Sequence, residues 1–94
     1  MKLIKIYNLK SYKLIFNLPT NGKITIKKKS SVELRALSYA DAKILNPSAV
    51  KGTIRVVTAD KALYKALKPY LKLELVESTK DLASIEASIN LEMV

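Results

Sequence analysis

Three consecutive lysines, Lys27-Lys28-Lys29, are the residues whose type and spacing point most directly to chemistry. In an exposed turn, three ammonium groups can meet successive phosphates, and each such contact steepens the salt dependence of binding. Lysine and serine also fill solvent-facing turns with no partner at all, so a solvated surface stands beside the functional reading. The rest of the chemical inventory is short. With no His and no Cys, the chain has no imidazole base, no thiolate nucleophile and no zinc ligand set of the usual kinds. Gly22 and Gly52 are isolated, which excludes a glycine-rich phosphate loop. Asp41, Asp60 and Asp81 fall at helix starts and the five glutamates are scattered, so no carboxylate pair is placed for general acid–base work. Ser38 and Ser78 read as helix caps, because no base is at hand to activate them. The expectation is a non-enzymatic protein with no cofactor, no metal and no small-molecule substrate.

Charge is distributed unevenly. The formal net charge is +9, but residues 1–55 carry twelve Lys or Arg against Glu33 and Asp41, whereas residues 56–94 carry five Lys against six acids. A basic front of this kind attracts nucleic acid, anionic lipid or an acidic protein. Lys23, Lys27, Lys28, Lys29, Lys51 and Arg55 are its candidate interaction residues. The acidic C-terminal part would either face the basic part of another copy in a head-to-tail contact, or pair with it inside one fold. Tyr39, Tyr64 and Tyr70, near the ends of elements, are candidate aromatic anchors, since interfaces favour tyrosine. Tyr12 and Phe16 have the parity of core residues.

These groups must be positioned by a fold that alternates between two periodicities. Tyr12, Leu14, Phe16 and Leu18 share one parity, as do Ile24 and Ile26, on either side of Pro19-Thr20-Asn21-Gly22. Asn-Gly between β-rich runs is a strong hairpin signal, and Pro19 ends the first strand by Leu18. The parity resumes at Val32 and Leu34, which predicts a meander over residues 12–35 with the three lysines at its second reversal. Met1 to Leu9 predicts a strand apolar on both faces and no secretion signal. Thr53 to Thr58, rich in β-branched residues, predicts an interior strand.

Three capped points predict helices. Ser38-x-x-Asp41 matches a capping box and opens a helix near 39–45 that stops before Asn46-Pro47, with Pro47 opening a separate turn closed by Gly52. Asp60 caps a helix near 61–68 ending at Pro69. Tyr70 to Glu77 returns to period two, with Leu71, Leu73 and Leu75 on one face. Ser78-x-x-Asp81 opens a helix over 80–89, the better reading of this segment; the alternative is a last strand through Ile89, Leu91 and Met93, since residues 88–94 also alternate.

The order hairpin, Ile24-x-Ile26, polar turn, Ser31-Val32-x-Leu34, short helix with Asn46-Pro47, then Lys51-Gly52-Thr53-Ile54-Arg55-Val56 resembles small β-rich domains of tailed-bacteriophage virion proteins over residues 12–57. The resemblance implies a structural component of a head, neck or tail, present in many copies, contacting other virion proteins, and located in the host cytoplasm before assembly. A basic nucleic-acid-binding module is the alternative. No uninterrupted apolar run is long enough to span a membrane. The predicted fold is α+β, a mainly antiparallel sheet forming a small sandwich or partly open barrel with two or three short helices. Residues 1–94 are expected to make one compact domain, with a β meander at 12–57 and a helix-strand-helix extension at 58–94.

Overall fold

The computed structural model describes residues 3–93. In chain order the elements are β1 (Ile4–Asn8), β2 (Leu14–Leu18), β3 (Gly22–Ile26), β4 (Ser31–Glu33), α1 (Tyr39–Val50), β5 (Ile54–Thr58), α2 (Lys61–Leu67), β6 (Glu74–Leu75) and α3 (Thr79–Met93). The architecture is α+β. A four-stranded sheet runs in the order β4-β1-β5-β6, and β2 and β3 form a separate two-stranded hairpin. Pairing is antiparallel except between β5 and β6, which are parallel.

β1 and β5 are apolar on both faces because each is covered on both sides. Ile4 and Ile6 of β1 and Ile54 and Val56 of β5 point to one side, where Leu45 and Ala49 of α1, Leu67 of α2, Leu71 and Leu73 complete the main core. The hairpin adds Leu18 and Ile26 to that core. Tyr7 and Val57 have the opposite parity and form a second, smaller core with Val76 and Ile89. α3 therefore covers the far side of the sheet, with Leu82 and Ile85 half-buried beside Ile89. Each fully buried aliphatic side chain contributes about 1.5–3 kcal/mol. Because Ile89 is 0 % exposed, Ile89→Ala is expected to cost about 2 kcal/mol and to speed hydrogen exchange in α3 ahead of the main core. Uniform acceleration across β1 and α3 would count against two separately stabilised faces.

The chain forms a hairpin at residues 14–26, not a meander. β2 ends at Leu18, and Gly22 (φ 72°) supplies the only left-handed residue of the turn. Asn21 contributes its side chain instead, donating from Nδ2 to the Ala36 carbonyl at 2.9 Å and to Asp41 Oδ2 at 3.0 Å. After β3 the reversal at Lys27–Ser30 sends the chain away from β3: the Asn8 amide donates to the Ser30 carbonyl at 2.8 Å, and Ile6 pairs with Val32. β4 thus joins β1. Tyr12 is 56 % exposed, because β2 begins only at Leu14 and the bend before it carries the ring into solvent.

α1 runs through Asn46-Pro47 without a break. Proline inside a helix forfeits a hydrogen bond and costs about 3 kcal/mol. Pro47 lies on the exposed side, however, and Leu45 and Ala49 on the other side are both buried. Packing outweighs local preference here. Gly52 (φ 80°) closes the helix, its amide donating to Ala49 and the Thr53 amide donating to Ser48, which is a Schellman arrangement. Only Glu74–Leu75 of the expected strand over 70–77 forms a ladder, because the segment changes sides: Leu71 and Leu73 enter the main core and Val76 the second. α3 continues helically to Met93, so the strand alternative at residues 89–93 is not adopted; Val94 lies outside the described residues.

Candidate interaction surfaces

Two buried polar side chains hold the hairpin in place. Asp41 at the start of α1 is 0 % exposed. Its Oδ1 accepts from the Thr20 amide at 3.0 Å, and its Oδ2 accepts from Asn21 Nδ2 and from the Ser38 amide at 3.1 Å. The capping box is therefore also a strut between the hairpin turn and the helix. Burial pushes the Asp41 carboxyl up, but the bonds from the Thr20 and Ser38 amides outweigh it and hold the group below its ordinary value. Asn8 does similar work at the open end of the hairpin. Its Nδ2 donates to the carbonyls of Tyr12, Ile26 and Lys27, and its Oδ1 accepts from the Lys10 amide.

With its apolar face on the core, the hairpin presents an outward face made by the opposite parity: Ile15 and Asn17 on β2, Lys23 and Thr25 on β3, with Ile15 opposite Thr25 and Asn17 opposite Lys23. Lys13 and Lys27 flank the strands with the same parity, and all six residues are exposed. Lys28 and Lys29 follow in the turn. Lys29 adopts a left-handed conformation (φ 53°), and its Nζ donates to the Leu9 carbonyl at 2.9 Å. The lysine run is thus an ordered turn. Lys51 is exposed at the C-terminal cap of α1.

Arg55 stands apart from the other candidate cations. It points to the α3 side, half-buried, where it forms a forked bond with Glu74 and an ion pair with Glu92 at 3.4 Å. The hydrogen bond to Glu74 is the main reason its pKa is raised, and burial opposes it. Lys5 pairs with Glu86 at 3.2 Å, and the Tyr7 hydroxyl donates to the same carboxylate at 3.1 Å. Burial works against the Lys5 ammonium, but Glu86 and Tyr7 outweigh it and raise its pKa; burial raises that of Tyr7. Glu74, Glu86 and Glu92 are therefore engaged inside the fold, so three of the six C-terminal acids pair with cations of their own sheet. An open cleft of about 570 Å³ beside β5 is lined by Lys10, Arg55 and Lys72 together with Glu74 and Glu92, the two acids that pair with Arg55.

Of the three tyrosines, Tyr39 and Tyr70 are brought together and Tyr64 is not. The rings of Tyr39 and Tyr70 meet edge to face, with centroids 4.4 Å apart and planes at 85°. Both are nearly half exposed, and the Lys43 ammonium sits over the Tyr39 ring at 5.1 Å. Tyr64 packs partly into the main core with Lys68 above it. The outward half of α1 adds Ile44 and Val50, both exposed. Sequence reasoning missed Lys13, Asn8 and the bracing role of Asp41. Strand parity could have found Lys13, since it shares the phase of Ile15 and Asn17.

No protein-family model matches the chain, and no curated protein and no solved structure matches it significantly.

Proposed function

We propose that this chain is a non-enzymatic structural component of a tailed-bacteriophage virion, a head decoration, neck or tail connector held in many copies by contacts with other virion proteins. The layout resemblance over residues 12–57 suggests the setting. The observation that carries the mode of action is the exposed Tyr39–Tyr70 pair at α1, the helix that also carries exposed Ile44 and Val50, so that four of the seven large apolar side chains exposed among the described residues lie on or against one element. Tyr39 and Tyr70 are in direct contact, and adjacent exposed apolar side chains mark contact sites more than scattered single residues do. Tyr39 and Tyr70 brace each other, so little side-chain freedom remains to be lost on docking. Lys43 and Lys51 supply a charged rim, which orients a partner but adds roughly 0–1 kcal/mol per exposed ion pair.

Two measurements test this. Mass spectrometry of purified particles from the source should find the chain at fixed stoichiometry, and its absence would remove the virion setting. Within particles that contain it, Tyr39→Ser with Tyr70→Ser is expected to reduce incorporation by tenfold or more, since an aromatic anchor is typically worth ~2 kcal/mol. Full incorporation of the double variant would transfer the contact to another surface.

A further inference from the structure

The segment from Lys10 to Val32 contains six lysines and no carboxylate. We propose that the outward face of the β2–β3 hairpin is a docking site for the phosphate backbone of duplex DNA, bound without regard to sequence. This inference stands on the hairpin alone and does not require the virion setting.

Charge accounting supports it first. Arg55 and Lys5 occupy Glu74, Glu92 and Glu86, while Asp41 is taken by the Thr20 and Ser38 amides and Asp60 by the Leu63 amide. None of the hairpin lysines forms an ion pair among the described residues. Five of the eight acids are thus engaged away from the hairpin, and Glu33, Glu77 and Asp81 form no ion pair with its lysines among the described residues, which leaves the ribbon's field for an external anion. A second copy of the chain has little such anion to offer, because Glu74, Glu86 and Glu92 are paired in the same way and leave Glu77 and Asp81 as its exposed C-terminal acids outside those ion pairs.

Geometry selects the kind of anion. Lys23 and Lys27 lie four residues apart on one side of β3, about 13 Å at the strand rise of ~3.3 Å per residue. Lys13 flanks the start of the neighbouring strand, at the Lys27 end of the ribbon. A two-stranded ribbon is narrow enough to enter or straddle a major groove. Asn17 and Thr25, between the lysines, are neutral donors of the type that accompanies phosphate contacts. None of the six residues of the outward face is aromatic, and Tyr12 beside Lys13 is a single exposed ring rather than the successive rings of a stacking platform for single strands. Lysine is depleted at protein–protein interfaces, which argues against an acidic protein as the natural occupant.

Fluorescence anisotropy of a labelled 20-base-pair duplex, titrated with the full chain across a salt series, tests the proposal. K13Q/K23Q/K27Q is expected to weaken binding at least tenfold and to reduce the salt slope by about 2.7, that is about 0.9 for each lost phosphate contact. The matched control K61Q/K65Q/K80Q makes the same charge change on α2 and α3 and should stay within threefold of the parent. All six positions are exposed, and circular dichroism verifies that both variants fold. Undetectable duplex binding at 50 mM salt, or equal loss in the two triple variants, overturns the site. Tighter binding to a single strand of the same length overturns the duplex assignment. Displacement by polyglutamate at equal charge concentration overturns nucleic acid as the ligand in favour of an acidic protein.

Discussion

Asp41→Ala is expected to destabilise the fold by about 3 kcal/mol, because it removes a charged acceptor whose hydrogen bonds contribute ~1.5–3 kcal/mol and leaves three part-buried donors without it. Asp41 holds the Thr20 amide, Asn21 Nδ2 and the Ser38 amide at once, so the hairpin turn and the first turn of α1 loosen together. Chemical denaturation measures the loss as a lowered midpoint at unchanged slope. The pH dependence provides a second test. The folded pKa of Asp41 is lowered, so its contribution is complete above the unfolded carboxylate value near ~3.9 and fades as pH falls through the folded value. Asp41→Asn should therefore lose less stability than the parent on acidification below about pH 4. Superimposable acid limbs would show that Asp41 does not hold the joint as an ionised group.

Asn8→Ala is expected to cost a similar amount, about 3 kcal/mol, through a different set of partners. Three backbone carbonyls and one amide lose a common side-chain partner at the end of the hairpin where the lysine turn begins. Asn8→Asp discriminates further: it keeps the acceptor for the Lys10 amide but faces the carbonyls of Tyr12, Ile26 and Lys27 with negative charge. It should be less stable than Asn8→Ala at neutral pH and recover part of that difference in acid, where a protonated carboxyl can donate. Equal stability of the two variants at neutral pH would mean that the amide nitrogen is not what holds the three carbonyls.

Local signals carried much of this fold. Ser38-x-x-Asp41, Asp60 and Ser78 each cap a helix, with Ser38 Oγ accepting from the Asp41 amide, Asp60 Oδ1 from the Leu63 amide and Ser78 Oγ from the Asp81 amide. The run ending at Leu9 was legible as a strand apolar on both faces and Thr53 to Thr58 as an interior strand, and Ile4–Asn8 and Ile54–Thr58 both lie inside the four-stranded sheet. What escaped the sequence was decided at long range. Whether Val32 continues a meander or crosses to Ile6 depends on a bond between Ser30 and Asn8 that no local periodicity encodes. The helix survives Pro47 because Leu45 and Ala49 are buried by elements far away in sequence.

The candidate surface divides in the same way. That Lys23 and Lys27–Lys29 face solvent follows from strand parity and turn composition. That Arg55 does not belong with them follows from Glu74 and Glu92, which reach it only once β6 and α3 have docked. Tyr39 and Tyr70 were legible as tyrosines near element ends, but not as neighbours. Their pairing needs the segment after α2 to return to α1, where the Lys72 amide donates to Asn46 Oδ1 at 3.0 Å.

The interior place of β1 has a consequence for how the chain is made. Its main partner β5 is synthesised about fifty residues later, with Ile6 waiting for Val56 and Tyr7 for Arg55, and such non-local pairing slows folding. During that interval a strand that is apolar on both sides is free to join its counterpart on another nascent chain. Lys5 interrupts it with a charge, a gatekeeper against such mispairing. The carboxylate that finally engages that charge, Glu86, leaves the ribosome 81 positions behind it.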